Sequence, residues 1–245
     1  MTSDLIEVRE LGKSFPGAGG TDPVPVLRGI SLSVRSSEVL AVVGPSGSGK
    51  STLLYCMSGL EPATTGSVRV LGRGLEALGR GALAELRRDH LGFVFQDYNL
   101  IPSLTARENV ALPARLAKRR VNAAEVDRAL ADVGLADRAG FRPSALSGGQ
   151  RQRVAVARVL AVRPDVVFAD EPTGALDTES GARVLALLRR AASDGRSVVM
   201  VTHDVEAAAG ADRVVVLRDG LLHRELVRPD AATVSGAITH AGFRG

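Results

Sequence analysis

The sequence is poor in the residues that build cysteine sites and aromatic surfaces. Its 245 residues include a single cysteine, Cys56, and no tryptophan, and aromatic residues make up 3% of the chain. One cysteine excludes an intramolecular disulfide and a metal cluster of cysteines, and we expect Cys56 to be a buried packing residue. The shortage of aromatic rings leaves few platforms on which nucleic-acid bases could stack, so composition does not favour a nucleic-acid partner.

Long apolar runs are missing as well. The chain has no stretch of about 18 apolar residues that could form a membrane-spanning helix. Its first residues lack the basic segment and apolar stretch of a signal peptide. Since 45% of the residues are hydrophobic and 24% are charged, the composition is that of a globular protein. The sequence therefore predicts a soluble, cytosolic chain with a core of its own.

Lysine is scarce, which makes one lysine conspicuous. The net charge is +4, and among the 31 lysine and arginine residues only Lys13, Lys50 and Lys118 are lysines. A chain that otherwise uses arginine for its positive charge but keeps Lys50 draws attention to that position.

Short apolar runs alternate with helical patterns along the chain. Runs at residues 39–43, 91–95, 166–169, 198–201 and 214–217 are typical of strands buried on both faces, and further strands are predicted at 5–11, 26–34 and 67–71. Helices are predicted at 50–60, 82–89, 125–133 and 180–192, and residues 96–164 are mostly helical. The pattern predicts an α/β fold with a parallel sheet and a helical insertion of about 65 residues. No periodicity is visible from residue 229 to the end.

A phosphate-binding loop follows the run at 39–43. The motif G-x-x-x-x-G-K-[ST] is matched at every specified position by Gly44, Pro45, Ser46, Gly47, Ser48, Gly49, Lys50 and Ser51. Glycines allow backbone N–H groups to turn toward phosphate oxygens, and the N-terminus of the following helix adds its dipole. We expect Lys50 to reach the β- and γ-phosphates and the Ser51 hydroxyl to bind Mg²⁺. Thr52 stands where a dinucleotide-binding loop has its third glycine, which excludes that alternative.

Two carboxylates end the run at 166–169. Asp170 lies where an acidic residue can hold Mg²⁺ through water, and Glu171 is placed to polarise an attacking water. Taken alone, such a pair is also common in ordinary loops.

A second candidate anion site precedes the helix predicted after residue 150. Ser147 can cap this helix, and Gly148 and Gly149 leave its first amides unshielded before Gln150. Two half-sites for phosphate in one chain suggest that another copy completes each of them. The alternative is an ordinary helix start.

Two further polar residues follow predicted strands. Gln96 comes after the run at 91–95, and His203 comes shortly after the run at 198–201. Ligands gather at this edge of open α/β sheets, although isolated residues of these types are most often structural.

Taken in order, these motifs resemble the ATP-binding cassette (ABC) ATPase family, and the resemblance covers residues 5–220. It implies a P-loop NTPase fold with a RecA-like mixed sheet, an N-terminal antiparallel β portion and an inserted helical subdomain. The expected division is a core of residues 1–95 and 164–228, a helical subdomain of 96–163 and a C-terminal tail of 229–245.

The resemblance also implies a head-to-tail dimer that binds ATP and Mg²⁺ between the P-loop of one copy and the signature loop of the other. In that dimer, residues 44–52 bind phosphate and residues 147–150 cap the opposite nucleotide. The ion is surrounded by Ser51, Gln96 and Asp170. Glu171 is the general base, His203 contacts the γ-phosphate, and Asp177 crosses the interface. Phe15 stands near the position of the adenine-stacking aromatic residue, which is usually tyrosine.

Finer matches, such as residues 92–96, 108–110 and 169–174, are similar to the macrolide-export, lipoprotein-release and cell-division branch. The resemblance implies an ATPase that powers a separate membrane permease from the cytoplasmic face of the plasma membrane. Two alternatives remain: a cell-division-type module that signals across the membrane, and a soluble ABC protein acting on nucleic acid or ribosomes.

The segment 97–113 is predicted to form the groove that receives the permease. It combines prolines with apolar residues that look exposed, namely Leu100, Ile101 and Leu104, and exposed apolar surface usually marks a partner. The alternative is that these residues pack in the core of the helical insertion.

Overall fold

An antiparallel sheet forms the N-terminal part of the protein. The computed structural model describes residues 4–17, 19 and 22–242. Its long strands β1 (Asp4–Phe15) and β2 (Val24–Arg35) pair with each other, and β4 (Thr65–Val70) and β5 (Arg73–Gly74) extend the sheet in the order β2-β1-β4-β5. Part of the loop between β1 and β2 lies outside the described residues.

A six-stranded sheet forms the centre. Its strands are β3 (Val39–Val43), β6 (Leu91–Val94), β7 (Val166–Asp170), β8 (Ser197–Val201), β9 (Arg213–Arg218) and β10 (Leu221–Val227), in the order β10-β9-β3-β8-β7-β6. All neighbours are parallel except β9 and β10. Every residue of β3, β7 and β8 is buried, which accounts for the continuous apolar runs and confirms the predicted parallel sheet.

Apolar clusters cover both faces of the central sheet. Because side chains alternate along a strand, one strand contributes to both clusters. In β3, Leu40 and Val42 belong to the apolar cluster under the antiparallel sheet and α1 (Lys50–Met57). Val39, Ala41 and Val43 belong to the cluster on the other face, which includes residues of α6 (Thr178–Ser193) and α7 (Val205–Ala209). One helix, α2 (Arg80–His90), leads into β6.

The predicted helical insertion lies between β6 and β7. It consists of α3 (Ala106–Leu116), α4 (Ala123–Asp132) and α5 (Gly148–Val162). The first of these begins with a capping box in which Thr105 Oγ1 accepts from the Glu108 N–H and the Glu108 carboxylate accepts from the Thr105 N–H. Gly134, with φ 70°, follows the end of α4, as its position in the sequence predicts.

A buried arginine joins the two sheets. Arg213, in β9, is 7% exposed, and its guanidinium lies 2.8 Å from both Glu38 Oε1 and Glu225 Oε1. It also donates to the Ser33 carbonyl oxygen of β2 at 3.0 Å. Glu38 is itself 5% exposed; its Oε1 pairs with Arg213, and its Oε2 accepts from the Arg35 N–H at 2.6 Å.

The C-terminal segment differs from expectation. The sequence predicts no element from residue 229 on, whereas the structure forms α8 (Ala231–Gly242), which packs beside α7 and β9. Val234, Ala237 and Ala241 of α8 are buried in the core. None of the helices in the described part of the chain is long and apolar enough to cross a membrane.

Candidate functional site

The loop between β3 and α1 has a backbone shape that requires glycine. Gly44, Gly47 and Gly49 have φ values of 148°, 77° and 97°. A Cβ on Gly44 would lie 2.0 Å from the Leu217 carbonyl oxygen, and one on Gly49 would lie 2.9 Å from the Leu27 side chain. The glycines of the motif therefore meet two needs, left-handed backbone and close packing against neighbouring strands.

Lys50 folds back over this loop. Its Nζ donates to the carbonyl oxygens of Gly44 at 3.0 Å and Pro45 at 2.8 Å. Partial burial lowers the pKa of Lys50, and the negative charges of Glu171 and Asp170 oppose that shift. A phosphate oxygen is a stronger acceptor for an ammonium group than a neutral carbonyl, so the lysine is placed to exchange these contacts for an anion.

Ser51 and Asp170 meet at the start of α1. Ser51 Oγ donates to Asp170 Oδ1 at 3.1 Å, and Asp170 is 2% exposed at the end of β7. Burial raises the pKa of Asp170, while the hydrogen bonds from Tyr55 and Ser51 lower it.

These oxygens fit a hard cation whose shell is completed by phosphate. Hydroxyl and carboxylate oxygens are the ligands that Mg²⁺ prefers, and this ion is usually held by one or two carboxylates together with substrate phosphates. Within the described residues, no group of three or more His, Cys, Asp and Glu side chains is placed to hold a metal by itself. A divalent ion at Ser51 and Asp170 would therefore depend on ligands that a bound nucleotide supplies.

Glu171 and His203 form the second polar pair of the site. His203 Nδ1 lies 2.9 Å from Glu171 Oε1, and the His203 backbone N–H donates to Oε2 at 3.4 Å. Glu171 has φ 50°, which is unfavourable for a residue with a side chain and is typical of functional sites. The carboxylate is only 14% exposed, whereas the imidazole is 74% exposed.

One cavity of about 490 Å³ brings these groups together at the carboxyl edge of the central sheet. Its wall includes Lys50, Ser51, Gln96, Glu171 and His203. The parallel register explains the convergence, because Asp170 pairs with Val201 and Val42 pairs with the same residue on the other side. The sequence correctly placed Gln96 and His203 at strand ends that meet at this edge.

The loop at residues 147–150 lies beside this cavity but not in its wall. Ser147 caps α5, as predicted: its Oγ accepts from the Gln150 N–H at 3.2 Å, and Gln150 Oε1 accepts from the Ser147 N–H at 2.9 Å. None of these four residues is among the described residues that line the cavity, although Gly148 and Gly149 lie next to Tyr98 and Ala175, which do line it.

Asp177 and Phe15 also lie apart from the cavity wall, as far as the described residues show. Asp177 caps α6, with Oδ1 accepting from the Ser180 N–H at 2.9 Å. Hydrogen bonds from the backbone and side chain of Ser180 lower the pKa of the Asp177 carboxyl. The ring of Phe15, at the end of β1, has the Lys13 ammonium 4.7 Å from its centroid. One face of this ring is thus already covered by a cation.

Sequence reasoning missed two residues that touch the site. Gln152, 1% exposed in α5, donates to the Pro172 carbonyl oxygen at 3.1 Å and so ties α5 to the segment after Glu171. Tyr55 donates its hydroxyl proton to Asp170 Oδ2 at 3.0 Å, and burial together with the charge of Asp170 raises its pKa to about 12. The spacing of four residues from Ser51, which places both on one helix face, could have pointed to Tyr55.

Comparison with known proteins identifies the family to which the chain belongs. The family model described as "ABC transporter" matches residues 27–174 of the chain. The chain is an ATP-binding cassette ATPase of the ABC transporter family. The resemblance seen in the motifs is thereby confirmed.

Curated relatives of the cassette include export proteins. It is 44% identical over 234 residues to the macrolide export ATP-binding/permease protein MacB of Escherichia coli (strain K12). The aligned region covers 95% of this chain and 36% of the relative. It is 46% identical over 253 residues to the pyoverdine export ATP-binding/permease protein PvdT of Pseudomonas fluorescens (strain Pf0-1), covering 100% of this chain and 38% of the relative. The chain thus spans little more than a third of the length of these relatives.

Solved structures agree with the fold. The dimeric structure of a post-hydrolysis state of the ATP-binding cassette MJ0796 bound to ADP and Pi superposes with a TM-score of 0.87 at 36% identity, covering 91% of this chain and 99% of that one. A second dimeric structure of MJ0796, described as a bacterial ABC transporter cassette, has a TM-score of 0.84 at 38% identity. The predicted mixed sheet with an antiparallel N-terminal portion is confirmed.

Proposed function

We propose that the cassette binds ATP with Mg²⁺ in the cavity at the carboxyl edge of the central sheet, and that ATP hydrolysis there drives a membrane permease that exports its substrate. The observation that carries this proposal is the convergence of Lys50, the Ser51–Asp170 pair and the Glu171–His203 pair on one cavity. These groups supply the charge, the metal ligands and the base that phosphoryl transfer to water requires.

The P-loop binds the phosphates in this proposal. Residues 44–52 surround the phosphates, whose oxygens would accept from free backbone N–H groups of this loop, and Lys50 would leave its two carbonyl partners to donate to the β- and γ-phosphates. Pro45 has no N–H, and the Ser48 N–H donates to the Pro45 carbonyl oxygen, so neither is one of these donors. Ser51, Gln96 and Asp170 hold the ion, which supplies charge neutralisation at the phosphates.

Glu171 acts as the general base. Its carboxylate accepts a proton from the attacking water, or orients that water, while His203 holds the carboxylate through Nδ1 and presents its exposed ring edge to the γ-phosphate. Since the carboxylate is shielded while the imidazole is open to the cavity, the two residues suit these different tasks.

A second copy of the chain completes the site. Residues 147–150 start α5, where the N–H groups of Ser147 and Gln150 donate within the capping box and those of Gly148 and Gly149 would face the nucleotide of a second copy. Asp177 lies exposed on the same chain. A head-to-tail dimer would bring the start of α5 to the nucleotide of its partner, where the helix dipole favours an anion. Phe15 stacks on the adenine with the ring face that Lys13 leaves open.

The permease contacts a groove between the helical insertion, β6 and α2, whose apolar wall also includes Arg87, Arg88 and Arg158. The groove has a volume of about 290 Å³ and is lined by Phe93, Leu112 and Leu116, of which Leu116 is 64% exposed. Leu100 is partly buried and packs against the core cluster, and Leu104 is half-buried, so the expectation that these two residues are exposed is wrong. Ile101, 42% exposed, remains a surface residue. In this proposal the cassette acts on the cytoplasmic face of the membrane through the permease.

Replacement of the P-loop lysine tests the nucleotide site. A hydrogen bond to a charged group contributes about 1.5–3 kcal/mol, so Lys50→Ala should weaken ATP binding by roughly 10- to 100-fold. Calorimetric titration of the purified protein with ATP measures this change. The matched control is Lys118→Ala, which removes an exposed lysine outside the cavity and should leave the affinity unchanged. Equal affinity of both variants and the parent would refute the assignment of the P-loop.

A further inference from the structure

We propose that Tyr55 is a positioning residue that holds the Asp170 carboxylate in the orientation needed to bind Mg²⁺. The inference rests on the proposed function, because it concerns the same ion. It is carried by one contact, the hydrogen bond of 3.0 Å from the Tyr55 hydroxyl to Asp170 Oδ2.

The two oxygens of Asp170 are held from the same helix. Ser51 and Tyr55 lie four residues apart in α1, so they share the face that looks toward the end of β7. Ser51 binds Oδ1 and Tyr55 binds Oδ2. With a donor on each oxygen, the carboxylate is fixed in both position and rotation.

Burial makes the second donor important. Asp170 is 2% exposed, so water cannot freely replace a lost hydrogen-bond donor, and an unpaired buried acceptor is unfavourable. Tyr55 does not compete for the metal, because its hydroxyl acts here as the donor. Its contribution is therefore to keep the Asp170 carboxylate aligned while Oδ1 stays with Ser51 beside the P-loop.

Ser51 alone cannot do this when nucleotide is bound. In the proposed function its hydroxyl oxygen becomes a ligand of the ion, so only its proton remains for Asp170. The Tyr55 hydroxyl is not among the groups proposed to bind the nucleotide, so its bond to Asp170 Oδ2 can persist in both states. Groups that orient a metal ligand in this way typically change metal affinity 10- to 100-fold when they are removed.

The amino-acid composition provides a direct spectroscopic probe. The chain has no tryptophan and two tyrosines, Tyr55 and Tyr98. In a Tyr98→Phe protein, all tyrosine absorption comes from Tyr55. Its near-ultraviolet band depends on the charge of the carboxylate that it binds, so it should shift when Mg²⁺ is added in the presence of a non-hydrolysable ATP analogue.

The test compares three proteins in the Tyr98→Phe background: the background itself, Tyr55→Phe and Ser58→Ala. Ser58 is fully buried in the same region, and its hydroxyl donates to the Tyr55 carbonyl oxygen at 3.1 Å, so Ser58→Ala removes a buried hydrogen bond without touching Asp170. For each protein we measure analogue affinity in EDTA, the Mg²⁺ concentration for half-maximal ATPase, and thermal stability.

We expect Tyr55→Phe to raise the half-maximal Mg²⁺ concentration about tenfold and to leave analogue affinity in EDTA unchanged. Ser58→Ala should lower stability but leave the Mg²⁺ requirement unchanged. An unaltered Mg²⁺ requirement in Tyr55→Phe overturns the inference. If Tyr55→Phe fails to fold, the background protein decides: absence of a Mg²⁺-dependent shift of the Tyr55 band overturns it equally. A parent protein, with Tyr98 in place, that binds no analogue refutes the proposed function instead.

Discussion

Replacement of Glu171 by glutamine separates ATP binding from ATP hydrolysis. Glutamine keeps the size of the side chain but removes its basicity and its negative charge. The P-loop, Lys50 and Ser51 are untouched by this change. Glu171 is therefore expected to be needed for the attack of water, whereas ATP binding should persist without its carboxylate.

Two magnitudes follow from the structure. A positioned acid–base group contributes about 10²–10⁴-fold to the rate, or roughly 2.7–5.4 kcal/mol, so kcat should fall by that factor. Glu171 lies close enough to raise the pKa of Lys50 through its charge, so its carboxylate also repels the γ-phosphate. At a separation of about 5 Å in a water-like dielectric, removal of that repulsion amounts to about 0.8 kcal/mol, an affinity gain of roughly fourfold.

The assay is steady-state ATPase activity together with size-exclusion chromatography in ATP and Mg²⁺. Glu171→Gln should show the loss of turnover, tighter binding of ATP and an ATP-dependent dimer. His203→Asn is the informative control, because Glu171 keeps the backbone N–H of residue 203 at 3.4 Å even without the imidazole. We expect a smaller loss of kcat in that variant. Near-normal turnover in Glu171→Gln, or a larger loss in His203→Asn, would show that Glu171 is not the base.

Two further predictions concern the permease groove and the buried ion pair. Leu116→Glu should leave basal ATPase activity unchanged and abolish its stimulation by the co-reconstituted permease in proteoliposomes; stimulation that survives would place the contact elsewhere. Arg213→Met should destabilise the fold by about 3–5 kcal/mol, because it leaves Glu38 buried without its cation. Calorimetry should show a midpoint lowered by roughly 6–20 °C, and the double variant with Glu38→Leu should recover most of that loss.

Most of the fold follows from local pattern, and the exceptions have identifiable causes. The apolar runs of β3, β7 and β8 are fully buried, so the continuous apolar sequence correctly predicts strands that are buried on both faces. Helix α1 ends at Met57, three residues before the predicted end, because Gly59 takes φ 67° and its N–H bonds to the Cys56 carbonyl oxygen. Helix α8 is rich in small residues, and contacts with α7 and β9 stabilise it. These contacts join distant parts of the chain, so the sequence of α8 alone does not predict the helix.

The site divides in the same way. The P-loop, Asp170 and Glu171 lie in contiguous motifs, so their chemistry can be predicted from the sequence. Gln96 and His203 follow other strands of the parallel sheet, and the shared edge of that sheet brings them to the same cavity. The spacing of four residues from Ser51 places Tyr55 on the right helix face, but its partner Asp170 lies 115 positions away in the chain, so only the structure shows the contact. The functions of Ser147, Asp177 and Phe15 stay predictions, since each requires a second copy of the chain or a bound base.

The single cysteine gives the protein a practical property. Cys56 is 2% exposed, and burial raises the pKa of its thiol to about 11. Thiol reagents react with the thiolate, which at neutral pH is about one part in 10⁴ of such a group. We therefore expect thiol reagents to label the parent chain very slowly. A cysteine introduced at Asp177, which is exposed and is expected at the interface between copies, would be the one reactive thiol, and a disulfide between the two copies of that cysteine would show that two cassettes face each other there.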